Sequence, residues 1–137
     1  MSAAAVEPGT QLPDLPLPPI SRATLALFAG ASGDHNPIHI DLDFARAAGQ
    51  DDVFAHGMLS MAYLGRLLTD LVPVGAIRSY TVRFAAITPV HAEVTCRGTV
   101  ASVETVDGER RARLQLEARL ADGTVTVRGE AVVAVQQ

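Results

Sequence analysis

Between Gly57 and Leu71 the chain is apolar on nearly every side of a helix, and a few residues later its hydrophobic period falls to two. Met58, Leu59, Met61, Ala62, Leu64, Leu67, Leu68 and Leu71 cover most of the helical circumference, and Pro73 and Gly75 stop it. A helix of that kind has to be enclosed by other structure. The enclosing material follows directly. Tyr80, Val82 and Phe84 alternate with Thr81 and Arg83, and Val94, Cys96 and Val100 alternate with Glu93, Thr95, Arg97 and Thr99. Leu114, Leu116, Ala118 and Leu120 alternate with Arg113, Gln115, Glu117 and Arg119. Val125, Val127, Ala131 and Val133 alternate with Thr124, Thr126, Arg128 and Glu130. Such alternation marks strands with one face in the core and one in water. Asp107-Gly108 and Asp122-Gly123 sit where tight hairpin turns are required. The expected class is α+β: an antiparallel sheet curved around one long central helix.

Upstream of that helix the pattern is less regular. Pro8, Pro13, Pro16, Pro18 and Pro19 fix φ and remove donors, so residues 1–20 read as an extended segment with at best an edge strand. Ser21 is a candidate N-cap for a short helix from Arg22 to Ala31, with Leu25 and Phe28 on one face. Asp43 is a candidate cap for a second, Phe44 to Ala48, ended by Gly49. The 137 residues fit one domain, 1–137, with that proline-rich lead.

Composition narrows the chemistry. All 11 basic residues are arginine, so a Schiff-base lysine, a lysine nucleophile and a P-loop lysine are excluded. Cys96 is alone, which excludes an intrachain disulfide and a multi-cysteine zinc site. A net charge of −4 with no Trp argues against nucleic acid as a partner. No apolar run approaches a membrane span, and Met1 to Val6 does not read as a signal peptide. A reducing cytoplasm is the expected compartment.

Carboxylate, imidazole and backbone N–H are what remain, and they concentrate in one place. Ser32-Gly33-Asp34-His35-Asn36-Pro37-Ile38-His39 is the densest polar segment, and Ala55-His56-Gly57-Met58 opens the long helix. A turn at Asn36-Pro37 could fold Asp34 and His39 toward one point, where they would act as a proton-transfer pair near neutrality. Gly57 at the helix start offers an unhindered N–H for a developing oxyanion. Asp-x-Asn-Pro is also an ordinary turn sequence. His56 reads as a helix-start or packing histidine, His35 as solvent-facing and His91 as structural or exposed. A metal bound by His35, His39, His56 and Asp34 lacks a helical His-x-x-x-His frame, because Pro37 interrupts it; no metal is expected.

Taken together, Phe28-Ala-Gly-Ala-Ser-Gly-Asp34-His-Asn36-Pro37-Ile-His39, then Ala55-His56-Gly57-Met58-Leu59, resemble the hydratase-2 motif of the MaoC-like family. Arg128-Gly129-Glu130-Ala131-Val132-Val133 is similar to that family's last strand. The resemblance implies a hot-dog fold and the activity of (R)-specific enoyl-CoA hydratases and (3R)-hydroxyacyl-thioester dehydratases. It assigns Asp34 and His39 to a catalytic dyad, the Gly57 N–H to the thioester carbonyl and Asn36 to bracing the loop. Asn36, His56, Met58, Arg83 and Arg97 are expected at the substrate, the two arginines as phosphate contacts of CoA or carrier protein. No cofactor is implied. A homodimer is, or a heterodimer with a second hot-dog chain. A hot-dog thioesterase and a non-catalytic acyl-binding subunit are the alternatives. Two departures stand out: Ala31 where a larger aliphatic residue or Gly is commoner, and Gly65 where some hydratases carry a supporting Ser.

Overall fold

The computed structural model describes residues 6–136. Residues 1–5, which hold nearly all of the stretch read for a signal peptide, and Gln137 lie outside the described residues. The elements are β1 (Leu15–Pro16), α1 (Arg22–Ser32), α2 (Leu42–Ala47), α3 (Gly57–Leu71), β2 (Ile77–Phe84), β3 (Val94–Val106), β4 (Glu109–Leu120) and β5 (Val125–Ala134). The strands form one antiparallel sheet in the order β1-β3-β4-β5-β2, and α3 packs against β2, β3, β4 and β5. This is the expected arrangement of sheet around helix.

The core lies between the inner sheet face and α3. Val94, Cys96, Val100, Leu114, Leu116, Ala118, Val127, Ala131 and Val133 are buried on the sheet side, and Leu59, Leu64, Leu67 and Leu68 on the helix side. Asp107 and Gly108 both take positive φ, as a two-residue hairpin joining right-twisted strands needs. The proline-rich segment runs beside β3. Leu12 N–H and Leu17 N–H donate to Gly98 and Val94 carbonyls, and Leu12, Leu17 and Ile20 are buried. It forms the edge strand expected of it, though prolines gave no hint of those core contacts.

Three expectations need correction. The cap of α2 is Asp41, whose carboxylate accepts from Asp43 and Phe44 N–H, so Asp43 lies in the first turn instead. Thr126 is fully buried although the alternation placed it outside. The β4–β5 register shifts near Ala118, and the chain from Ala85 to Ala86 hydrogen-bonds over Thr126. Finally, α3 is not enclosed on every side. Met58 is 53% exposed, and Ala62, Arg66, Thr69 and Asp70 are exposed too, because five strands cover only one side of the helix.

Candidate active site

The loop from Gly33 to His39 is a chain of local caps. Gly33 ends α1 in the left-handed region (φ +75°), its N–H donating to Ala29 O. Asp34 Oδ1 accepts the Asn36 N–H at 3.2 Å, and Asn36 Oδ1 accepts the Ile38 N–H at 3.1 Å. Pro37 then starts a single 3-10 turn that closes on His39. Each step is the ordinary turn chemistry of Asp, Asn and Pro. Together they leave Asp34 Oδ2 3.9 Å from His39 Nε2. That is too long for a direct hydrogen bond, but one water oxygen fits within reach of both.

Longer-range contacts set the imidazoles. His39 Nδ1 lies 2.7 Å from Phe54 O. A carbonyl only accepts, so Nδ1 carries the proton and Nε2 of neutral His39 presents a lone pair toward the carboxylate. The Phe54 ring meets His39 edge-on at 5.2 Å. On the other side His56 stacks on His39 at 3.9 Å between centroids. His56 Nε2 lies 3.1 Å from the Asp34 main-chain O, and Phe28 meets its ring edge-on. Burial pushes the His56 pKa down, and the neighbouring His39 adds to that. Ala55 N–H donates to Thr88 O and Phe54 bridges Pro89, which anchors the strand entering α3.

Gly57 begins α3, where the first N–H groups have no intrahelical partner and the helix dipole is positive. Asp34 and Gly57 share a cleft of about 480 Å³ whose other walls include Met58, Phe84, Ile87 and Val127. Asp34 is its one charged residue; the remainder is largely apolar, as a site for an acyl chain requires. Phe84 lies over Gly57, its ring standing 2.9 Å from where a Cβ would be.

The structure thus brings together Asp34, His39 and Gly57, with Met58 beside them. It places the other sequence-derived candidates differently. Asn36 accepts the Ile38 N–H through its side-chain oxygen and does not line the cleft. His56 is 1% exposed and stands behind His39, away from the cleft wall. Arg97 pairs with Asp14 at 3.3 Å on the outer face of the sheet and does not reach the cleft. Arg83 is also outward, one residue from Phe84. His35 and His91 are exposed, as read from the sequence, His91 with positive φ. Phe54 and Phe84 were not foreseen as site residues: the first acts through its main chain, and the second had the pattern of a core position.

Among the described residues, Asp34, His39 and His56 alone gather ligand-type atoms closely enough for a metal, within 4.8 Å. Their geometry does not suit one. The imidazoles are stacked 27° from parallel, so their in-plane lone pairs do not converge. No helix among the described residues is long and apolar enough to cross a membrane.

Comparison with known proteins shows which chains this one is similar to. A family model described as "MaoC like domain" matches residues 4–121. The chain is 34% identical over 118 residues to an (R)-specific enoyl-CoA hydratase of Rhodospirillum rubrum, covering 85% of this chain and 80% of that one. It is 34% identical over 91 residues to 3-hydroxyacyl-thioester dehydratase Z of Mycobacterium tuberculosis, covering 62% of this chain and 60% of the relative. The solved structure of an (R)-hydratase from A. caviae involved in PHA biosynthesis superposes with a TM-score of 0.84 at 28% identity, over 96% of this chain and 98% of that one.

Proposed function

The chain belongs to the MaoC-like domain family, and we propose that it catalyses the reversible hydration of trans-2-enoyl thioesters to (3R)-hydroxyacyl thioesters. It is a hydro-lyase of hot-dog fold, working in fatty-acid or related acyl metabolism. The observation that carries the reading is Asp34 Oδ2 facing His39 Nε2 across 3.9 Å, beside an apolar cleft that also holds the head of α3.

The chemistry follows from those groups. A water held between Asp34 and His39 attacks C3 of the enoyl thioester, and Asp34 takes up its proton as base. The C2–C3 π electrons move toward C2 and the carbonyl, giving an enolate-like oxygen that the Gly57 N–H stabilises. When the carbonyl re-forms, C2 takes the proton back from the Asp34–His39 pair. The sum is one water added and no net change in the enzyme. His39 Nδ1 is committed to Phe54 O, so Nε2 is its only exchanging nitrogen.

The handle of the substrate is CoA or carrier-protein phosphopantetheine. We assign its phosphate contact to Arg83. The second copy expected of a homodimer would cover the free edge of β2 and the exposed Met58, Phe84 and Ile87. Its native mass should be twice that of the chain; a monomer, or a chain stable only with a different partner, would exclude the homodimer. One domain over 1–137 and a cytoplasmic setting complete the proposal, the lone thiol Cys96 being buried and unpaired.

The test is loss of enoyl-thioester absorbance on adding crotonyl-CoA. Asp34→Asn should lower kcat by about 10²–10⁴-fold, the range for losing a positioned proton-transfer group. An equally active Asp34→Asn would refute the role given to Asp34. Release of free CoA thiol in place of hydration would point to a thioesterase.

A further inference from the structure

His56 and His39 are stacked imidazoles that use opposite nitrogens. His39 donates through Nδ1 and leaves Nε2 toward the Asp34 carboxylate; His56 faces the Asp34 main-chain carbonyl through Nε2 and buries Nδ1. Both contacts converge on one residue. The carboxylate of Asp34 is half exposed and reaches His39, while its carbonyl is tied to His56. His56 is 1% exposed and held edge-on by Phe28 of α1, so its ring has little room to turn. It therefore couples three pieces of the fold: the end of α1, the Asp34 loop and the start of α3.

We propose that His56 is a positioning residue for the reacting pair: its Nε2–H holds the Asp34 main chain and its ring backs His39, keeping carboxylate and Nε2 at their working separation. The proposal rests on the reading of Asp34 and His39 as that pair. Its physical logic is one of tautomer. A carbonyl accepts only, so Nε2 of His56 must carry the proton. Nδ1 is buried and has no partner among the described residues, so a second proton there would be an unpaired buried charge. Burial favours the neutral form of His56, and the titratable groups facing it are Asp34 and His39. A neutral ring behind His39 also leaves His39 free to take a proton without facing a like charge.

Two variants separate the parts. His56→Phe keeps a flat ring and removes the N–H; His56→Gln removes the ring and restores an amide N–H near the Nε2 position. With crotonyl-CoA, His56→Phe should lower kcat by about a hundredfold, the scale of an ångström's misplacement, while KM stays within about threefold. His56→Gln should recover a measurable part of kcat. NMR titration of the histidines adds a readout independent of turnover. In His56→Phe the His39 ring resonances should move, because the carboxylate beside them is no longer held in place. In the wild type, His56 should show the Nε2–H tautomer, with a midpoint below that of an ordinary histidine. An Nδ1–H tautomer of His56 in the wild type would overturn the proposal even if neither variant folds. So would a His56→Phe variant with wild-type kcat and unmoved His39 resonances, or two variants that lose activity only in step with their folded fraction. A wild type inactive on crotonyl-CoA whose His56 shows this tautomer would sink the proposed reaction and leave the positioning intact.

Discussion

Gly57 has no side chain because Phe84 occupies the place one would take. Its φ is not in the left-handed region, so conformational freedom is not the reason. A Cβ would stand 2.9 Å from Phe84 Cδ1 and Cε1, closer than carbon atoms approach. Gly57→Ala should therefore push the ring off the head of α3 and cut kcat/KM for crotonyl-CoA by about 10–100-fold. Adding Phe84→Ala should restore most of that loss. If the double variant is as impaired as Gly57→Ala alone, the N–H and not the ring is what the methyl disturbs. At this scale the legible part of the site was the local part. Gly33, Asp34, Asn36 and Pro37 cap and turn against residues two or three away, so their spacing carries the loop. The links from His39 to Phe54 O and from His56 to Asp34 O join distant residues through main-chain carbonyls, which have no sequence signature. His56 looked like a helix-start residue because it is one. That it also lies under His39 depends on how α1 and α3 cross.

Among the elements, α3 and the hairpins were readable because period and turn residues agreed. What escaped was irregularity. β3 and β4 shift register between Val100 and Ser102, and the alternation of β3 fails beyond that point. Gly98 interrupts the inner face of β3, and the gap is filled by Leu12 from the proline-rich segment; a Cβ there would lie 2.8 Å from Leu12 Cδ1. Charge also ties elements together. Arg78 of β2 holds Glu109 of β4 through a two-pronged contact, and Arg111 adds a third bond. These arginines pull the Glu109 carboxyl down to about 2. A carboxyl held below its unfolded value, ordinarily 4.5, contributes stability above that value and loses it as pH falls through the folded one. Glu109→Gln should thus unfold at lower denaturant than wild type at pH 7, with the two midpoints converging between pH 4.5 and 2. The contacts are partly exposed, so the gap should also shrink in high salt. A gap that is constant from pH 7 to pH 2 would show that packing, not charge, sets it.

The whole molecule presents a charged outer face whose order appears only once the register is known. At one level across the sheet stand Arg97 of β3, Glu117 of β4, Arg128 of β5 and Arg83 of β2. Asp14 pairs with Arg97 at one end, and Glu117 lies 3.8 Å from Arg128 and bonds Arg119. Signs alternate along the row until the β2 edge, where two arginines are direct neighbours and no carboxylate among the described residues pairs with Arg83. Like charges directly opposite are unfavourable in a sheet, so an anion from outside the chain would be favoured there. With lysine absent throughout, the proposed CoA or carrier-protein handle would depend on arginine for its phosphates, and Arg83 is next in sequence to Phe84 of the cleft. Both arginines were equal candidates in the sequence; only pairing across strands shows that Arg97 is engaged and Arg83 is not. Arg83→Ala should raise KM for crotonyl-CoA about tenfold, the value of one charge-assisted contact, and leave kcat near wild type. With crotonyl-pantetheine, which has no phosphate, the same variant should match the wild type in KM. An equal rise with both esters would show that Arg83 shapes the cleft or the dimer and does not hold the handle.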